Sequence, residues 1–71
     1  MKLLNHTQET VVTHTYEIKK DNKKFTYIEY ENEKGKVIDC ILRNERGEEI
    51  ATADAGNSTL EEIQKFIDSL Y

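Results

Sequence analysis

Cys40, His6 and His14 are the residues of this chain best suited to nucleophilic or metal chemistry. A working thiolate–imidazole pair needs the two groups within hydrogen-bond reach and a third group to orient the base. Cys40 instead lies among Ile38, Ile41 and Leu42, where a buried, unreactive thiol is the ordinary outcome. The same three residues lack the short paired spacing, Cys-x2-Cys or His-x3-His, that marks a metal site. No metal or other cofactor is therefore expected. His14 alternates with Val12 and Tyr16 and reads as a strand residue whose ring is satisfied locally. Glu29 and Asp39 would face each other across neighbouring strands, and a close carboxylate pair can divide acid and base work. The simpler reading sends both to solvent near Lys19, Lys24 or Arg43. No constellation combines the residue types and the spacing of a catalytic centre, so the chain is read as non-enzymatic.

Charge offers two further readings. Residues 1–24 carry a net +2 and residues 25–71 a net −6, for −4 overall. Lys19, Lys20, Lys23 and Lys24 surround one turn, with Tyr16, Phe25 and Tyr27 just beyond it. Basic residues beside aromatics are the ingredients of a platform on which single-stranded nucleic acid stacks. The overall acidic charge works against phosphate binding. Conversely, Glu29, Glu31, Asp39, Glu45 and Glu48, with Glu33, Glu49 and Asp54, fall in one contiguous part of the chain. Arrayed on a face, such acids imitate phosphates and occupy a partner's basic groove, as small acidic inhibitors of the phage kind do. The plain alternative is that acids keep a sheet protein soluble.

The elements that must position these groups centre on two turns of near-identical sequence, Asn32-Glu33-Lys34-Gly35 and Asn44-Glu45-Arg46-Gly47. Each suits a type I turn followed by a left-handed glycine, the three-residue hairpin with a bulge. Runs rich in β-branched and aromatic residues predict strands at about 10–19, 24–31, 36–43 and 49–54. Lys20-Asp21-Asn22-Lys23 predicts a tight two-residue turn between the first two. Residues 1–9 show no periodicity and read as an irregular arm. With those turns Tyr30 faces Ile38, Ile28 faces Cys40 and Leu42 faces Ile50, together with Thr26. The other sheet face then carries Phe25, Tyr27, Glu29, Val37, Asp39, Ile41, Ala51 and Ala53, joined by Val12, His14, Tyr16 and Ile18.

Ala55-Gly56-Asn57 ends the sheet and a helix follows over 58–70. Ser58-Thr59-Leu60-Glu61 has the form of a capping box, and Leu60, Ile63, Phe66, Ile67 and Leu70 form one apolar stripe. The expected fold is a single α+β domain spanning 1–71: a four-stranded antiparallel meander (10–54), then one C-terminal helix packed on one face. Strands followed by a helix in this order resemble, in topology alone, the dimeric PC4-like single-stranded-DNA-binding fold. That resemblance implies the lysine hairpin and sheet aromatics as a nucleic-acid surface.

A chain of 71 residues is near the lower limit for folding alone, and small domains gain from disulfides, a metal or a second subunit. One cysteine excludes an internal disulfide. One helix covers one sheet face, yet both faces carry large apolar groups, so a homodimer is expected. The single thiol and the lack of an apolar leader or membrane span point to the cytoplasm. The expected function is a small protein-binding or regulatory module acting through an exposed sheet face or its acidic strands and turns. The alternative is a single-stranded nucleic-acid binder using Lys19, Lys20, Lys23, Lys24, Tyr16 and Tyr27.

Overall fold

The computed structural model describes residues 1–9 and 12–70; Thr10, Val11 and Tyr71, with the side chains of Thr7, Gln8 and Glu9, lie outside the described residues. Five strands run β1 Lys2–Glu9, β2 Thr13–Lys20, β3 Lys23–Glu31, β4 Val37–Arg43 and β5 Glu49–Thr52, followed by helix α1 Ser58–Leu70. The strands form one antiparallel meander in sequence order. The fold class is therefore α+β, as expected, with one strand more than the sequence suggested.

The additional strand is the segment read as an irregular arm. Residues 2–9 pair along the whole of β2, from Lys2 opposite Lys19 to Glu9 opposite Thr13. Their polarity hid them. An edge strand need bury little, and a bulge at Leu4 breaks the alternation, since Leu3 pairs with Ile18 and Asn5 already with Glu17. The strand expected from residue 10 begins at Thr13. Its Thr10 and Val11 lie outside the described residues, and Val12 occupies a turn at φ 48°.

All three predicted hairpin turns form. Asp21 and Asn22 take φ of 53° and 62°, the paired left-handed angles of a two-residue type I′ turn. Gly35 and Gly47 sit at 79° and 81°, where a side chain would be strained. The two Asn turns share one hydrogen-bond pattern. Asn32 Oδ1 accepts from the N–H groups of Lys34 and Lys36 at 2.9 and 3.1 Å. Asn44 Oδ1 accepts from those of Arg46 and Glu48 at 2.9 and 3.0 Å.

The register expected from those turns holds for one pair beyond each and then slips. Glu31 pairs with Val37, but Tyr30 pairs with Asp39, so Ile38 is an extra residue on β4. Arg43 pairs with Glu49, but Leu42 pairs with Ala51, so Ile50 is an extra residue on β5. Ile28 therefore faces Ile41 rather than Cys40, Tyr30 faces Asp39 rather than Ile38, and Leu42 faces Ala51 rather than Ile50. Since side chains alternate with period two, the first bulge turns β4 over and the second turns β5 back. Cys40 and Leu42 thereby join Tyr16, Ile18, Tyr27 and Ala51 in the core.

Helix α1 closes that core with Leu60, Ile63 and Ile67, while Leu3, Phe25 and Phe66 pack at its margin. The helix spans the expected residues, but its cap is Asn57, not Ser58. Asn57 Oδ1 accepts from the Leu60 N–H at 2.9 Å and its carbonyl from the Glu61 N–H at 3.1 Å, the two marks of an N-cap. The Asn57 amide also donates to the Ile50 carbonyl at 3.3 Å, fastening the helix start to the sheet edge. Ser58 makes no comparable link to β5 among the described contacts, and that link favours the asparagine. Further along, Lys20 Nζ bridges Glu62 at 2.8 Å and Asp21 at 3.0 Å, strapping the helix to the β2–β3 hairpin. Both contacts raise the Lys20 pKa, Glu62 the more. Among the described residues no helix is long and apolar enough to cross a membrane.

Candidate functional site

Two regions bring chemistry-bearing or binding side chains together. The first is a cleft of about 450 Å3 beside the C-terminal end of α1, lined by His6, His14, Tyr16, Glu29, Glu31, Val37, Ile67 and Asp68. Register explains the gathering: His6 lies opposite Tyr16, and His14 opposite Glu29, on neighbouring strands. His14 Nε2 is 3.0 Å from Glu31 Oε1, and His14 Nδ1 is 3.0 Å from His6 Nε2. A carboxylate only accepts, so Nε2 of His14 carries the proton. Which ring donates between His6 and His14 is set by their tautomers. The result is a chain of contacts from His6 through His14 to Glu31. The His6 ring stacks on Tyr16 with centroids 4.2 Å apart. The expected satisfied ring of His14 is realised, by partners that sequence spacing did not reveal.

This cleft does not include the thiol. Cys40 sits two strands from His14 with Glu29 between them, buried at 3% exposure, and burial pushes its pKa up. Gln64 Nε2 approaches its sulfur at 3.5 Å and the Tyr27 hydroxyl at 3.4 Å. Tyr27 donates to Glu29 Oε2 at 3.0 Å, and desolvation drives its phenol far above the usual tyrosine range. These are properties of a packed, protonated core. Among the described residues no group of three or more His, Cys, Asp and Glu has the arrangement to hold a metal ion.

The acids singled out by sequence do not converge. Glu29 and Asp39 are not a facing pair, because the bulge at Ile38 sets Glu29 opposite Cys40 and Asp39 opposite Tyr30. Glu29 and Glu31 belong to the cleft. Asp39 accepts from the Cys40 N–H at 2.8 Å, Glu45 from the Lys24 N–H at 3.0 Å, and Glu48 from the Asn44 amide at 3.3 Å. Each accepts a hydrogen bond from within the chain, and together they span both faces and a turn.

The lysines divide as well. Lys19 pairs with Lys24 and Lys20 with Lys23, so alternate members point to opposite faces. Lys20 is held on the helix side by Glu62. Tyr16 and Tyr27, the expected stacking residues, are 4% and 0% exposed beneath the helix and cannot receive a base.

The second region is the sheet face turned away from α1. Strand alternation places Thr13 and Thr15 of β2, Thr26, Ile28 and Tyr30 of β3, Ile41 of β4 and Thr52 of β5 there, all half-buried. Thr15, Ile28, Ile41 and Thr52 form one continuous row across four strands. Exposed Glu17, Lys19, Lys24, Asp39, Arg43 and Glu49 surround it. No second helix exists among the described residues to cover this face. Comparisons with protein-family models, with curated proteins and with solved structures find no match to this chain.

Proposed function

We propose that this chain is a non-enzymatic protein-binding module whose working surface is the sheet face opposite the helix. The observation that carries the reading is the Ile28–Ile41 pair at the centre of an uncovered sheet, with Tyr30 beside it and charges of both signs around it. Protein interfaces have this anatomy: an apolar and aromatic centre depleted of charge, inside a polar rim. Contiguous apolar surface on a small domain normally serves an interaction. The acidic strands and turns contribute less as a group, because their carboxylates do not converge on one patch.

The test replaces Ile41 with Lys, at the centre of the face and away from the core. Loss of protein partners from the immobilised chain, with the melting temperature held, supports the reading. An undiminished set of partners rejects it.

One observation favours a second reading. Lys2, Lys19 and Lys24 lie side by side across β1, β2 and β3 on that same face, a basic row suited to a phosphate backbone. A single-stranded nucleic-acid binder of this kind would hold labelled oligothymidylate at low salt and lose it steeply as salt rises. Lys19→Glu with Lys24→Glu would abolish that binding. No binding at low salt ends this second reading.

A further inference from the structure

The outward residues of β4 read Asp39, Ile41, Arg43: an acid, an isoleucine and a base at successive positions on one face, with Cys40 and Leu42 turned into the core between them. This order is self-complementary. A two-fold axis lying in the plane between two facing sheets, running across the strands through the Ile28–Ile41 row, reverses strand direction but keeps strand order. Ile41 of one copy then meets Ile41 of the other, Ile28 meets Ile28, and Arg43 meets Asp39 twice over. We infer that the protein bound by the outer face is a second copy of this chain, docked sheet to sheet in that antiparallel sense. The inference rests on the proposed function and names its partner.

Three observations on the page support this occupant. First, the two charges are exposed and no ion pair engages either of them among the described residues. Asp39 commits only Oδ1, to the Cys40 N–H. Glu49 is the register partner of Arg43, yet no ion pair joins them. Second, facing sheets stand about 10 Å apart with strands within about 30°, a gap that an arginine and an aspartate can span. Third, five strands about 4.8 Å apart and some seven residues long present roughly 500 Å2 per copy. The pair of faces therefore buries about 1,000 Å2, the lower bound of a specific interface. A two-fold axis along the strands and through β4 would set Asp39 against Asp39 and Arg43 against Arg43, a repulsive arrangement. Moved between β3 and β4, it would set Asp39 over Tyr30 and Arg43 over Thr26 and leave both charges unpaired.

Sedimentation equilibrium over a dilution series tests the arrangement with four chains: wild type, Asp39→Arg, Arg43→Asp and the double variant. Each single exchange brings like charges together at both symmetric contacts and should weaken dimerisation about tenfold or more. The double exchange recreates both pairs with their signs inverted and should restore it. Melting temperatures of the dilute variants establish that all four fold. A dimer indifferent to the single exchanges, or one that the double exchange fails to rescue, overturns the arrangement. So does a wild type that is monomeric throughout. If that monomer still loses partners on Ile41→Lys, the binding face stands and only its self-pairing fails. If neither effect occurs, the proposed function fails with it.

Discussion

On the helix side of the sheet, Tyr16, Ile18, Tyr27, Leu42 and Ala51 lie beneath Leu60, Ile63 and Ile67, each nearly or wholly removed from solvent. On the other side, Ile28 and Ile41 stand next to each other with only threonines, Tyr30 and charged residues around them. The same strands supply both faces, and a one-residue bulge decides which residues of β4 go to which. The helix side gathers large apolar groups and polar groups that bond one another, such as Tyr27, Glu29 and Gln64. The outer side keeps a narrow apolar row and leaves its charges exposed. The first is a core; the second has the makings of an interface.

The strongest way to break that division is to place a charge on the buried side of β4. Leu42 is wholly buried beneath the helix while its neighbour Ile41 faces outward beside Ile28, so Leu42→Asp puts an unpaired carboxylate into the core. Cooperative unfolding should disappear, as seen by circular dichroism through a urea titration, while Ile41→Asp, read at a dilution where chains are separate, should retain it. Equal outcomes for the two variants would show that the faces are not divided in this way.

Next in size are paired truncations, one on each face. Ile63 is fully buried, so Ile63→Ala should cost about 2–5 kcal/mol through lost contact and a residual cavity. Ile41→Ala, read at a dilution where chains are separate, should cost roughly 1 kcal/mol or less. Equal costs in urea denaturation would erase the distinction between the faces.

Alkaline pH should attack only the helix side. The Tyr27 phenol is raised far above its ordinary value by desolvation first, so in the folded chain it stays protonated while the unfolded chain ionises from about pH 10. The folded state then binds more protons, and stability falls as pH rises, by up to about 1.4 kcal/mol per pH unit for this group. Cys40, raised by burial, and Lys20, raised by Glu62 and Asp21, add losses of the same sign. Tyr27→Phe should shallow the decline in melting temperature above pH 10. An equally steep decline would place its origin elsewhere.

The smallest expected effect concerns the junction between sheet and helix. Asn57→Ala removes the cap and the tie to Ile50, for a loss of roughly 0.5–2 kcal/mol. Ser58→Ala should leave the melting temperature nearly unchanged, and the reverse ranking would move the cap back to Ser58.

How much of this was legible in the chain follows from what each feature depends on. The hairpin turns and the helix were readable because Asn, Gly and Asp at fixed positions, and an apolar stripe at helical spacing, act locally. The bulges were not. Ile38 and Ile50 look like ordinary strand residues, and their exclusion from pairing depends on what the neighbouring strand and the helix can bury. Strand β1 escaped because an edge strand of mostly polar sequence shows no apolar alternation to read. The histidine cleft went unseen for the same reason: His6 meets His14 only once residues 2–9 are known to pair with β2. Sequence-adjacent aromatics and lysines suggested a stacking platform, but period-two alternation put Tyr16 and Tyr27 in the core and split the lysines. One helix can cover only one of two sheet faces, and in the observed register the uncovered face carries Ile28, Tyr30 and Ile41.

The most direct test of the central claim is the methyl spectrum of isoleucine-labelled protein across a dilution series. The account predicts concentration-dependent shifts for Ile28 and Ile41 and none for Ile18, Ile63 and Ile67. Shifts confined to the buried three, or an unchanging spectrum for all five, would contradict it.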